Sequence, residues 1–316
     1  MENAFQFKTL AQFLDFFPDE ETCLEHFAAI RFRNGEYCPH CGNTSIYKFT
    51  GGKRFRCKGC KQDFTIKTKT VFGESKLPLR KWFIAIYLLS TSAKGISSIQ
   101  LAKQVGVSQK TAWFMDHRIR EAMKQGFTML SGTVELDETY VGGKEKNKHA
   151  SKRTKALTGK GAHGRNPKAK APVFGLLQRG GEVRAFATDN VKTMTVEKHI
   201  VGNVNIGSCL HTDDFSSYAH IGQLFKHEVV HHGEGQYVRA GGIHTNSIES
   251  FWALFKRGYM GVYHVMSRKH LQRYVDEYTF RYNLRHSSKD VDTVFSDLVA
   301  RVSRSNHLGW KELVAA

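Results

Sequence analysis

The sequence predicts a multi-domain α+β chain. A small helical and cysteine-bearing N-terminus leads into a helical module, then into a larger mixed α/β domain. Three observations predict it. Two Cys-x2-Cys pairs lie close together near the N-terminus, helical periodicity runs from Pro78 to about Gln125, and from Thr133 alternating strands and helices follow, two of the strands ending in an acid. The expected divisions are 1–75, 76–126, 127–290 and a C-terminal helical tail at 291–316.

Composition narrows the functional classes. Lys and Arg total 47 against 29 Asp and Glu, a net charge of +18 over 316 residues. Such a surface attracts polyanions and gains affinity by releasing their counterions, which favours nucleic acid as partner over a basic enzyme with solvated lysines. The longest apolar run, Trp82 to Leu89, falls far short of the roughly 20 residues a spanning helix needs. No secretion signal is evident after Met1, so a cytoplasmic, reducing compartment is expected.

Residues 8–32 read as two short helices, with Thr9 capping the first and Asp19-Glu20-Glu21 opening the second. Next come Cys38-Pro39-His40-Cys41 and Cys57-Lys58-Gly59-Cys60, with 15 residues between the pairs. Each pair supplies two thiolates from one turn, and four thiolates suit one tetrahedral, structural Zn²⁺; iron in a rubredoxin-like site is the alternative. The intervening Tyr47–Phe49 and Arg54–Arg56 read as strands around Gly51-Gly52. Lys48, Lys53, Arg54, Arg56 and Lys58 make this ribbon basic.

The stretch from Gly95 to Met123 reads as a helix-turn-helix. One helix stops at Gly106, Ser108 caps the next, and Val107, Ala112 and Ile119 face inward. Gln109, Lys110, Thr111 and Arg118 stand where a recognition helix would meet DNA. A helix over Leu79–Ser90 supplies a third apolar partner. An ordinary helical bundle has the same pattern; the adjoining basic ribbon favours the DNA-binding reading.

In the last domain, Val134 to Tyr140 alternates as a strand that carries Asp137, and Cys209 to Asp213 is a second strand ending in an acid. Arg179-Gly180-Gly181 marks a hairpin, and Val196–Val201 a short helix. A helix starting near Thr245 carries Glu249 and, seven residues on, Lys256, about 20° away around the axis. Asn246 and Trp252 are expected to flank that face, with Ile248, Phe251 and Phe255 opposite. Glu135, Glu138 and Asp214 read as surface acids. Thirty-five residues separate Asp213 from Glu249. Two strand acids and a helix acid form the arrangement of an RNase H-like nuclease core. Hard carboxylate oxygens suit two Mg²⁺ (or Mn²⁺) ions about 4 Å apart. The stretch 144–172, with Lys144, Lys152 and Arg153, reads as a basic loop that clamps DNA.

These motifs together resemble bacterial insertion-sequence transposases of the DDE class that carry an N-terminal zinc ribbon. The resemblance spans nearly the whole chain. It rests on Phe17-Pro18-Asp19-Glu20, Cys38-Pro39-His40-Cys41-Gly42, Leu136 to Lys144, His211-Thr212-Asp213, His244 to Trp252 with Lys256, and Arg281-Tyr282-Asn283. It implies an RNase H-like catalytic domain, cleavage at terminal inverted repeats, strand transfer into target DNA, and a homodimer or higher oligomer on DNA. Asp137 and Asp213 match the first two acids of the family. The third place is open to Asn246 or Glu249; Glu249 is favoured because it is anionic and Lys256 follows at the family's seven-residue offset.

Overall fold

Caps stated by the sequence start the first helices. The computed structural model describes residues 7–126, 128–143, 149, 151, 170–235, 237–286, 289–306 and 308–315. Its first elements are α1 (Leu10–Phe16), α2 (Glu20–Arg31), β1 (Ile46–Lys48), β2 (Phe55–Cys57), β3 (Asp63–Phe64), α3 (Leu79–Thr91), α4 (Ser98–Val105) and α5 (Gln109–Ala122). Then come β4 (Thr133–Val141), β5 (Ala171–Gln178), β6 (Val183–Ala187), α6 (Thr193–Val201), β7 (Cys209–Asp213) and β8 (Lys226–Val230). The last helices are α7 (Asn246–Gly258), α8 (Leu271–His286), α9 (Val291–Arg304) and α10 (Trp310–Val314). Thr9 and Gln12 form a capping box at α1, and the Asp19 carboxylate accepts from the Thr22 N–H at 2.8 Å to start α2.

The chain divides into two units: Met1–Lys124 with Ser288–Ala316, and Gln125–Ser287. The segment expected as a separate tail at 291–316 thus belongs with the N-terminal residues. The reason is packing. On α9, Val294, Phe295, Leu298, Val299 and Val302 form a buried helical stripe that needs a facing apolar surface. Phe295 meets the rings of Phe7, Phe13, Phe17 and Phe83 at centroid distances of 5.4, 5.3, 5.7 and 5.4 Å. Those rings come from the lead-in and from α3, so the lead-in, the helical module and the C-terminus share one core.

Within that unit, α4 ends on Gly106 in the left-handed conformation (φ 68°), and the Ser108 hydroxyl accepts from the Thr111 N–H to start α5. Ala112, Met115 and Ile119 of α5 are fully buried. Arg118 departs from expectation: only 4% of it is exposed. Its guanidinium donates to the carbonyls of Leu308, Val71 and Gly73 at 2.8, 3.0 and 2.8 Å, so it ties loops together instead of facing DNA. Lys110 is exposed and lies 4.6 Å over the Trp310 ring of α10, while Gln109 donates to the Ser98 hydroxyl at 2.8 Å.

The second unit is built on a mixed sheet in the order β6-β5-β4-β7-β8. β4, β7 and β8 run parallel; β5 lies antiparallel to both β4 and β6. The period-2 alternation of β4 and β5 sorts the layers. Val134, Leu136, Phe174 and Leu176 pack with Val196 and Ile200 of α6 on one face. Val141, Val173 and Leu177 pack with Ile248, Phe251 and Trp252 of α7 and Tyr278 of α8 on the other. The free edge of β6 is covered by carboxamides. Asn283 pairs with both backbone groups of Val183, Gln125 with both of Ala185, and Gln272 accepts from Ala187. Asn283 therefore closes a sheet edge that would otherwise template another strand.

Candidate active site

The N-terminal ribbon brings its four cysteines together. β1, β2 and β3 pair antiparallel, the two-residue β3 being a strand the sequence reading did not include. The Sγ atoms of Cys38, Cys41, Cys57 and Cys60 all lie within 4.8 Å of one another, with Cys38–Cys60 at 3.7 Å and Cys41–Cys57 at 3.6 Å. A tetrahedron of thiolates bound at about 2.3 Å has edges of about 3.8 Å, so the set fits Zn²⁺. None of the four forms a disulfide. The backbone N–H groups of His40 and Cys60 point at Cys38 and Cys57 sulfur at 3.4 Å. First the Cys60 N–H, and with it the neighbouring thiols, hold the Cys57 thiol down at about 7.

In the second unit, sheet register sets the acids. β4 and β7 are paired as Thr133↔Cys209, Val134↔Leu210 and Glu135↔His211. Asp137 and Asp213 each lie two residues beyond the last of these pairs, so alternation puts them on the same face of neighbouring strands. That face carries α7. Opposite Asp137 on β5 is Gly175. A Cβ there would lie 2.5 Å from the Trp252 ring and 3.1 Å from Ile248, so glycine lets α7 settle against the sheet beside the acids. Trp252 is consequently a core residue, 3% exposed, and not the flank of the Glu249 face that the helical wheel led us to expect.

Asp137, Asp213, Glu249 and Lys256 line one cleft of about 540 Å³, together with Thr245 and Lys170. Asn246 is exposed at the start of α7 and is not among the lining residues. Burial, then the charges of Glu138 and Asp213, and finally that of Glu249, push the Asp137 carboxyl well above the usual carboxylate range; the Glu138 N–H, donating at 2.8 Å, opposes them. Such mutual repulsion is relieved by a cation. The three carboxylates do not crowd into one tight shell: among the described residues, only the four thiols meet that closely. Carboxylate oxygens are the hard donors Mg²⁺ takes, an ion that keeps several waters and shares its ligands with phosphate oxygens. Lys144, Lys152 and Arg153 lie outside the described residues.

Two acids read as surface residues are buried. Glu138 points to the opposite face of the sheet, where the Tyr218 hydroxyl donates to it at 3.0 Å. Glu135 is fully buried and accepts from Arg179, Ser247 and Ile248. Asp214 is exposed. Nothing in local periodicity marks Glu135 as buried, because its partners lie 44 to 113 residues away.

Residues 18–63 match a transposase zinc-ribbon domain and residues 129–283 match an ISXO2-like transposase domain. The class is therefore that of an insertion-sequence transposase. The chain belongs to the ISXO2-like transposase family. It is 31% identical over 278 residues, 84% of this chain and 91% of the relative, to an uncharacterized protein in the transposable element ISH50 of Halobacterium salinarum. Among the described residues no helix is long and apolar enough to cross a membrane.

Proposed function

We propose that this transposase cleaves DNA at the terminal inverted repeats of its element and joins the freed ends to target DNA, with Asp137, Asp213 and Glu249 as its catalytic acids. The observation that carries the reading is that these acids and Lys256, 119 positions apart at the extremes, line a single cleft. The strand order, the parallel β4–β7 pair and the helix α7 crossing that face support an RNase H-like core.

Asp137, Asp213 and Glu249 would hold two Mg²⁺ or Mn²⁺ ions, which when bound activate the attacking oxygen and stabilise the leaving one. Glu249 fits the third place better than Asn246, since it lines the cleft and carries charge. Thr245 donates to Glu249 Oε1 at 3.2 Å and orients it. Lys256, one α7 turn pair beyond Glu249, is exposed toward the same cleft and would contact a DNA phosphate next to the scissile bond. Water attacks one phosphodiester and leaves a 3′-hydroxyl; that hydroxyl then attacks a target strand in line, with no covalent protein intermediate. DNA held by Gln109, Lys110 and Thr111 and by the basic stretch 144–172, on a homodimer or larger assembly, completes the reading.

Asp137→Asn tests it. The variant is expected to lose strand cleavage by about 10³-fold or more while keeping its affinity for an element-end duplex. Cleavage at the normal rate would show the acid assignment to be wrong. A labelled element-end duplex with a target plasmid separates the alternatives: a DNA-binding regulator leaves both intact, and a simple nuclease cleaves without joining.

A further inference from the structure

α7 starts without a side-chain cap. Thr245 makes no side-chain bond to the helix backbone. The N–H groups of Ser247 and Ile248 are taken instead by Glu135 of β4, whose Oε2 accepts them at 2.9 and 3.0 Å. Its Oε1 accepts from the Ser247 hydroxyl at 3.0 Å and from Arg179 Nε at 2.7 Å. The same guanidinium donates to the carbonyls of Gly242 and His244 at 2.7 and 2.8 Å. It therefore grips the segment that leads into α7. An anionic carboxylate at a helix N-terminus complements both the free N–H groups and the helix dipole. A fully buried one also needs its counter-charge, and Arg179 supplies it.

We infer that the Glu135–Arg179 pair is a positioning device for the catalytic helix. Glu135 precedes Asp137 by two residues on the same face of β4, and it holds the two N–H groups immediately before Glu249. One carboxylate thereby fixes where α7 begins along β4, and with it the spacing between the strand acids and the helix acid. Neither Glu135 nor Arg179 lines the cleft, so the pair acts through Glu249 and not on DNA. The inference rests on the acid reading given above.

Glu135→Gln tests it. The amide keeps the volume and still accepts the two backbone N–H groups, but it no longer offers a charge to Arg179. Mn²⁺ binding to the free protein, followed by electron paramagnetic resonance, is expected to weaken by about 10- to 100-fold, the range for groups that orient metal ligands. Cleavage should fall with it at low Mn²⁺ and recover as Mn²⁺ is raised, with duplex affinity within about twofold of wild type. A folded Glu135→Gln protein with wild-type Mn²⁺ binding and cleavage overturns the inference. Should that variant not fold, Arg179→Met carries the same test, with the same outcomes; if neither folds, the pair determines the fold and not the spacing, which also overturns it. Asp137→Asn run alongside distinguishes the two readings. If it keeps Mn²⁺ binding and cleavage, the acid cleft itself is misassigned. If it loses both while Glu135→Gln keeps both, only the positioning role fails.

Discussion

Two clusters in this chain, one of thiols and one of acids, are built differently. The four thiols of the ribbon lie within 4.8 Å of one another on two tight turns. Asp137, Asp213 and Glu249 line an open cleft of about 540 Å³, on three separate elements. The first arrangement completes a coordination shell and leaves no place for a substrate. The second leaves room for water and phosphate, and burial together with the neighbouring acids raises the Asp137 carboxyl.

Chelation breaks that comparison most sharply. A brief exposure to EDTA followed by desalting is expected to abolish cleavage, with full recovery on adding Mg²⁺. About one zinc per chain should remain by elemental analysis, because structural zinc is held with roughly 10–16 kcal/mol of apparent binding energy and Mg²⁺ is not. If zinc leaves as readily as activity, the ribbon is not a closed site.

The cores of the two units differ too. In the first unit, one ring, Phe295, joins residues from both chain termini. Phe295→Ala should destabilise that unit by about 3–5 kcal/mol, read as a shift in urea midpoint at unchanged slope. A change below about 1 kcal/mol would mean that the C-terminal helices only rest on this core.

The same core holds His26, 8% exposed and packed edge-on to Phe17 at 5.0 Å. Burial pulls its pKa from 6.5 down to about 4. The fold therefore favours the neutral ring. Its contribution to stability is fully present above pH 6.5 and is lost as pH falls from 6.5 to about 4, on the order of 3 kcal/mol in all at 1.36 kcal/mol per unit. The difference between wild type and His26→Gln in urea melts at pH 7 and pH 4.5 isolates this term from acid effects on the zinc ribbon. Parallel curves at both pH values would show that His26 does not titrate differently on unfolding.

What the sequence made legible was whatever depends on near neighbours. Caps at Thr9 and Ser108, the acidic first turn at Asp19-Glu20-Glu21, the tight turn at Gly106, the paired cysteines and the strand carrying Asp137 all rest on interactions within a few residues. The errors fall where a partner is remote. Arg118 is a charged residue on a helix, and charged residues are mostly exposed; its acceptors sit 45 to 190 positions away. Glu135 reads from sequence as a surface acid although alternation places it beside Asp137, because the helix start it caps lies more than 100 residues downstream. The C-terminal segment reads as a helical tail, and nothing near it in sequence marks the surface that receives its apolar stripe.

Gly175→Ala sharpens the comparison with the smallest expected change. The ribbon cluster depends on local turns, so no distant residue should move it; the acid cleft depends on how closely α7 approaches the sheet. A methyl at position 175 would meet the Trp252 ring at 2.5 Å, opposite Asp137. The ring is wedged among Phe251, Phe255 and the sheet, so it has little room to yield and the helix must shift. Overpacking of this kind costs about 1–3 kcal/mol, and the cost alone would leave most of the protein folded at 25 °C. Cleavage should fall further than that loss of folded protein accounts for, because Glu249 moves with α7, while zinc content stays at one per chain. If Gly175→Ala lowers stability and leaves the cleavage rate per folded molecule unchanged, α7 tolerates displacement and the spacing of the acids is looser than the glycine implies.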